Sequence, residues 1–106
     1  MIKIFVDDMR VPLSKDWVLA STVKEAQELI KQGGDFVLSL DHDLGQREGN
    51  DDNTRALLLW CIDNGYIPQA AAVHSSNPVG AQWLRECLLY DFPEPIPPIT
   101  PPTWSI

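Results

Sequence analysis

Basic residues are scarce in this chain: 8 lysines and arginines stand against 15 acids, for a net charge of −7 over 106 residues. A duplex-binding protein carries a basic face that displaces counterions, and none is visible, so no duplex DNA binding is expected. Long apolar runs are also missing. None approaches the roughly 20 residues that span a bilayer. The opening MIKIFVDD has no basic stretch followed by an apolar run and a small-residue cleavage site. No membrane association is expected, and a cytoplasmic location follows. Only two cysteines are present. Cys61 and Cys87 sit inside the apolar patterns LLLWCI and LRECLL and lack zinc-site spacing, so they read as buried, reduced thiols rather than a disulfide. There is no P-loop, no G-x-G-x-x-G and no G-x-S-x-G elbow.

What remains is the composition of one ordinary globular domain, 44% hydrophobic and 22% charged. Residues 2–6 (IKIFV) form a short apolar run that ends in acid, the style of a strand buried on both faces of a parallel sheet. Residues 9–16, with Pro12, read as a loop and 17–20 (WVLA) as a second strand. Thr22 and Glu25 have the spacing of a capping box. Val23, Ala26, Leu29 and Ile30 follow at helical spacing as far as Gly33-Gly34. Residues 36–40 (FVLSL) give the third strand, 54–64 a deeply buried helix and 70–73 (AAAV) the fourth strand. Pro78 suits the first position of a helix capped by Asn77. Strands alternating with helices predict an α/β fold with right-handed crossovers. The domain is expected over residues 1–91. Residues 92–106 hold six of the nine prolines (PEPIPPITPP), which forbids a helix or a central strand. This tail reads as an extended strap packed on the domain through Ile96, Ile99 and Trp104, or as a ligand for a protein partner.

Three of the four strands end in polar clusters, and ligands collect beyond the carboxyl ends of parallel strands. Asp7-Asp8 closes the first. Either aspartate alone would serve as a turn acid. As a pair they repel unless a cation or base lies between them, and so read as ligands for a hard cation. Arg10 adds a planar donor fork suited to phosphate oxygens. Asp41-His42-Asp43 closes the third strand. Period-two alternation puts Asp41 and Asp43 on one side and His42 on the other, provided the strand continues that far. Asp41 should then stand beside Asp7 and Asp8. Several carboxylates with waters suit Mg²⁺ or Mn²⁺, so Asp7, Asp8, Asp41 and Asp43 are the candidate metal ligands. His42, flanked by two aspartates, is a candidate base. Such a metal would also reverse the field that an acidic chain presents to an anionic substrate. His74-Ser75-Ser76-Asn77 joins the fourth strand to a helix N-terminus, a ready anion site. Ser75, Ser76 and Asn77 are candidate phosphate ligands, and His74 is a candidate acid or base near neutral pH. In the loop after Gly45, Glu48, Asp51 and Asp52 read as solvated, with Asp52 or Asn53 capping the next helix.

The stretch from Ala20 through Glu25-Ala26 to strand 36–40 and Asp41 resembles a two-component receiver domain. Asp7-Asp8 matches the acidic pair that holds Mg²⁺ there, Asp41 the phosphorylated aspartate, and Ser75 or Ser76 the hydroxyl residue ending strand four. Three departures stand out: the first helix is missing, a histidine directly follows the acceptor aspartate, and no lysine ends a fifth strand. With them the chain resembles a specific branch, the cyclic-phosphate processing receiver-like domains. Members share a pattern close to VDD-x-R-x-P, a central SLDHDLG, and H-S-x-N-P-x-G. Here these are Val6-Asp7-Asp8-Met9-Arg10-Val11-Pro12, Ser39-Leu40-Asp41-His42-Asp43-Leu44-Gly45 and His74-Ser75-Ser76-Asn77-Pro78-Val79-Gly80. The resemblance covers residues 1 to about 90 and rests mainly on SLDHDLG in its context. It implies a receiver-like (flavodoxin-like) three-layer sandwich with a parallel sheet in the order 2-1-3-4.

It further implies a metal-dependent phosphoesterase acting on a cyclic phosphate, either an RNA 2′,3′-cyclic end or a cyclic nucleotide. Asp7, Asp8 and Asp41 would hold the metal, Arg10 and Ser75 would bind phosphate oxygens, and His42 or His74 would move protons, with an aspartyl-phosphate route through Asp41 as the alternative chemistry. Two other readings compete. One is a non-enzymatic receiver-like module that binds a protein and is phosphorylated at Asp41. The other is a small adaptor that uses its acidic surface and proline tail.

Overall fold

Residues 1–44 and 54–106 are described in a computed structural model of the chain. Glu48, Asp51 and the cap expected from Asp52 or Asn53 lie outside them. The chain runs β1 (Ile2–Val6), β2 (Val11–Pro12), β3 (Trp17–Ala20), α1 (Val23–Lys31), β4 (Phe36–Leu40), α2 (Thr54–Asn64), β5 (Ala70–Val73), α3 (Pro78–Tyr90) and β6 (Trp104–Ser105). Strands β1, β3, β4 and β5 form one parallel sheet in the order β3-β1-β4-β5. Setting aside the two-residue β2, this is the expected 2-1-3-4. No helix lies between β1 and β3, also as expected. Among the described residues no helix is long and apolar enough to cross a membrane.

The direction of the crossovers decides where the helices go. From β3 to β4 and from β4 to β5 the chain steps the same way along the sheet, so right-handed connections lay α1 and α2 on one face. Their buried residues agree. Val23, Ala26 and Ile30 of α1, Leu57, Leu58 and Cys61 of α2, and Leu84, Cys87 and Leu88 of α3 join Ile4, Val6, Leu38, Leu40 and Ala71 in a single cluster. The alternate strand residues Phe5, Val37, Ser39 and Ala72 are buried too, on the opposite face. The step from β1 to β3 runs the other way and would have put a helix over that second face. Its place at the carboxyl end of the sheet is taken by β2, which pairs antiparallel with β6 from the far end of the chain.

Local chemistry sets the element ends. Thr22 Oγ1 accepts the Glu25 N–H (3.0 Å), while the Glu25 carboxylate accepts from Ser21 rather than from the cap residue itself. Helix α1 stops at Lys31, and Gly33 and Gly34 carry the chain away at φ of +90° and +85°. Asn77 Oδ1 caps α3 by accepting from Val79 and Gly80, with Pro78 at the first helical position. Both thiols are free and buried, and burial pushes each up to about 12, so neither is reactive.

The proline segment lies along the edge of β5. Ile96, 5% exposed, donates its N–H to Leu88 and joins the core. Ala71 donates to Pro97, and Ile99 donates to Ala71, one rung of a parallel ladder. The next rung would require an N–H from the residue at position 101, and Pro101 has none, so the ladder ends there. Ile96→Ala should therefore cost about 2–5 kcal/mol of unfolding free energy, as for a core residue, in urea denaturation of the full chain. A loss under about 0.5 kcal/mol, typical of a surface position, would show that the segment is not part of the core.

Candidate functional site

The ladder of the sheet runs one residue past each strand. Asp7 N–H donates to Ala20 (3.1 Å), Asp41 N–H to Val6 (3.1 Å) and His74 N–H to Leu40 (2.9 Å). Asp7, Asp41 and His74 therefore share one row at the carboxyl edge, and alternation turns their side chains to the face without helices. Asp8 follows directly. One carboxylate oxygen from each of Asp7, Asp8 and Asp41 lies within 4.8 Å of the others.

Asp7 is 1% exposed, and four donors surround its carboxylate. Met9 and Arg10 N–H groups donate to Oδ1 at 2.8 and 3.0 Å, His74 Nε2 to Oδ2 at 3.0 Å, and Arg10 Nη1 to Oδ2 at 3.4 Å. Burial works against ionisation, but the bond from His74 and the two backbone N–H groups outweigh it and hold the carboxyl below its ordinary 3.8. An ionised Asp7 can only accept, so His74 Nε2 carries a proton, and in the neutral ring Nδ1 then accepts from Ser39 Oγ at 2.7 Å. The imidazole is buried and stacked on Phe5, with ring centres 4.2 Å apart and planes at 7°.

Asp41 is shifted the other way. Burial first, then the charge of Asp7, pushes its carboxyl above 3.8, against the pull of Arg10, His74 and a hydrogen bond from Ser75. Arg10 bridges the group: Nη1 lies 3.8 Å from Asp41 Oδ1 and donates to the His74 carbonyl at 3.2 Å, and Nη2 donates to Ser76 Oγ at 3.3 Å. Trp104 of the tail lies over both Arg10 (5.4 Å) and the His74 ring (5.5 Å).

The other three candidates gather elsewhere. The strand stops at Leu40, so Asp43 does not return to the side of Asp41. Its carboxylate accepts from His42 Nδ1 at 2.7 Å and from Asn77 Nδ2 at 3.0 Å, outside the metal-sized group. The bond from His42, then that from Asn77, lowers its pKa. His42 turns away from Asp41, as alternation requires, toward the helices. Arg55 Nε donates to its Nε2 at 2.9 Å, so the proton sits on Nδ1, and the two ring nitrogens are taken by Arg55 and Asp43. Arg55 in turn lies 4.8 Å from the Trp83 ring. A Cβ built on Gly80 would stand 2.8 Å from His42 Cβ and closer still to Cγ and Nδ1. The histidine of SLDHDLG and the glycine of H-S-x-N-P-x-G are thus the two halves of one contact.

A family model for the cyclic-phosphate processing receiver domain matches residues 2–89. The chain belongs to that family. No curated protein and no solved structure matches it. In this receiver-family chain the match takes in every residue of the carboxylate site except Trp104, which lies beyond it. Sequence reasoning overlooked Ser39, and it read Trp104 as packing the tail without placing it at the site. The signal for Ser39 was available: a hydroxyl inside a fully buried strand needs a partner, and it stands two residues before Asp41 on the same face. An apolar cavity of about 420 Å³ between β5, α3 and the tail shares no residue with the site.

Two measurements test this geometry. Gly80→Ala should destabilise the protein by about 1–3 kcal/mol through overpacking, although alanine at an open helical position gains about 1 kcal/mol. Adding His42→Ala should recover part of that loss in urea unfolding. Asp41→Asn should raise the melting temperature of the metal-free protein at neutral pH, because a carboxyl whose pKa is raised by folding costs stability once ionised. That gain should fade as pH falls through the raised folded value of Asp41 and be gone below 3.8. The stabilising contribution of Asp7, whose pKa is lowered, persists above 3.8 and is lost only as pH falls through its folded value.

Proposed function

We propose that this chain is a metal-dependent phosphoesterase that opens a cyclic phosphate, either an RNA 2′,3′-cyclic end or a cyclic nucleotide. The observation that carries the reading is the set of three carboxylates within 4.8 Å, with the Arg10 fork and the Ser75 and Ser76 hydroxyls on the same sheet edge. The donor set fits a hard divalent cation. All three side chains would offer oxygens, the donors that Mg²⁺ and Mn²⁺ prefer. Carboxyls crowded this closely disfavour one another's ionised form, which a divalent cation between them would relieve. When bound, Mg²⁺ or Mn²⁺ supplies a Lewis acid that polarises a phosphoryl oxygen and acidifies a water.

The chain's own residues divide the remaining work. Asp7, Asp8 and Asp41 hold the cation. Arg10 gives up its long contacts to the carboxylates and turns its donors to phosphate oxygens, joined by Ser75 and Ser76. Asn77 fixes the turn through its cap and its bond to Asp43. His74 has both nitrogens committed and acts through Asp7 as a positioning residue, locking the orientation of that carboxylate. His42 holds the turn after β4 against α3. Membership of the cyclic-phosphate processing receiver family supports the cyclic-phosphate class. The competing module, phosphorylated at Asp41, draws support from the Ser75 hydroxyl on that carboxylate. Against it, the cation beside Asp41 is Arg10, already tied to three other groups.

The test is a screen of purified protein with Mg²⁺ or Mn²⁺ against cyclic mono-, di- and oligonucleotides and RNA 2′,3′-cyclic phosphate. Asp41→Asn should abolish turnover with the fold intact. His74→Ala should weaken the apparent metal affinity about 10–100-fold, with most of the rate restored at saturating metal. A general acid or base would instead leave a deficit of about 10²–10⁴ at any metal concentration. Wild type with neither a metal-dependent rise in melting temperature nor turnover of any cyclic phosphate hands the lead to the binding module.

A further inference from the structure

We propose that Trp104 is a positioning residue of this site: it holds the Arg10 guanidinium in the pose from which it donates to phosphate, so the tail beyond the family-matched region completes the site. The inference rests on the reading of Arg10 as the phosphate fork.

Arg10 sits in the short link between β1 and β2, on no regular element of its own. The contacts of its guanidinium are numerous but long: 3.4 Å to Asp7, 3.8 Å to Asp41, 3.2 Å to the His74 carbonyl and 3.3 Å to Ser76. Contacts of that length define a direction poorly, and an arginine carries much rotamer freedom to lose. The indole of Trp104, 5.4 Å from the guanidinium carbon, supplies a face against which the flat group can rest. The same ring covers the His74 imidazole at 5.5 Å, so it screens from water both the fork and the group that orients Asp7.

The backbone of the tail is tied to the same link. Val11 pairs with Ser105 and Pro12 with Trp104, and Leu13 donates to Thr103 at 3.0 Å. Two residues of ribbon are marginal alone, so the ring contacts add to what holds this one down; Trp104 keeps 39% exposure.

The experiment titrates the full chain with inorganic phosphate in saturating Mg²⁺ by calorimetry. It compares wild type, Arg10→Ala, Trp104→Ala, Trp104→Leu, Trp104→Phe and the Arg10→Ala/Trp104→Ala double variant. Trp104→Ala should weaken phosphate about tenfold, and Trp104→Leu by a similar factor, since it keeps apolar cover without a ring face. Trp104→Phe should stay within about threefold of wild type. The double variant should bind no more weakly than Arg10→Ala, because the tryptophan acts through the arginine. Should Trp104→Ala misfold, the Leu and Phe pair carries the same comparison. If Arg10→Ala weakens phosphate while every Trp104 variant binds as wild type, or if the two losses add, the role of Trp104 is overturned and the Arg10 reading stands. If Arg10→Ala binds as wild type, or wild type takes no phosphate, the Arg10 reading fails and this inference with it.

Discussion

Asp7 and Asp41 face each other across the seam between β1 and β4, both largely out of water, with Asp8 beside them. Buried charge of one sign survives only where partners answer it, and much of the molecule near this edge can be understood as that answer. Two backbone N–H groups, an imidazole and a guanidinium turn to Asp7; the guanidinium and a serine hydroxyl turn to Asp41. The supply is unequal. Asp7 receives enough to ionise more readily than an ordinary carboxyl, whereas Asp41 is left short and ionises less readily. Two chemically identical groups a few ångströms apart are thus given different characters by their surroundings. The asymmetry begins with Ser39, whose hydroxyl completes the hydrogen bonding of His74 and so frees the other ring nitrogen for Asp7 alone.

The two faces of the sheet have separate duties. Three helices crowd one face and make the core. The other face, which the missing first helix would have covered, carries the row of Asp7, Asp41 and His74 at its carboxyl end. That loss leaves Phe5 and the imidazole needing cover. Trp104, from the opposite end of the chain, provides part of it. The missing helix and the added proline-rich tail are in this sense two sides of one structural change, which exchanges a bulky layer for a thin one.

Much of this could be read from the residues. Each apolar strand that stops at acid, the capping threonine and asparagine, and the meeting of Asp7, Asp8 and Asp41 follow from local patterns joined by one topological rule; the strand order came with the family resemblance. The misplacements have local causes as well. Alternation assigned Asp43 to the side of Asp41 only while the strand lasted, and it ends at Leu40, so Asp43 turned to His42 and Asn77. His42 was assigned the correct side, but not the arginine that occupies its Nε2. Strand β2 was invisible because two residues, one of them proline, have no period, and their partner lies near the far terminus. Trp104 was hidden for the same reason: nothing in a linear pattern ties residue 104 to residue 10.

The contact between His42 and Gly80 bears on how such a chain can change by mutation. A side chain at position 80 meets an imidazole that fills the space, and the imidazole is held there by its neighbour Asp43 and by Arg55 of α2. The four positions are therefore coupled: a change at the glycine costs less once the histidine has been replaced. The turn after β4 and the start of α3 are to that extent one unit for substitution.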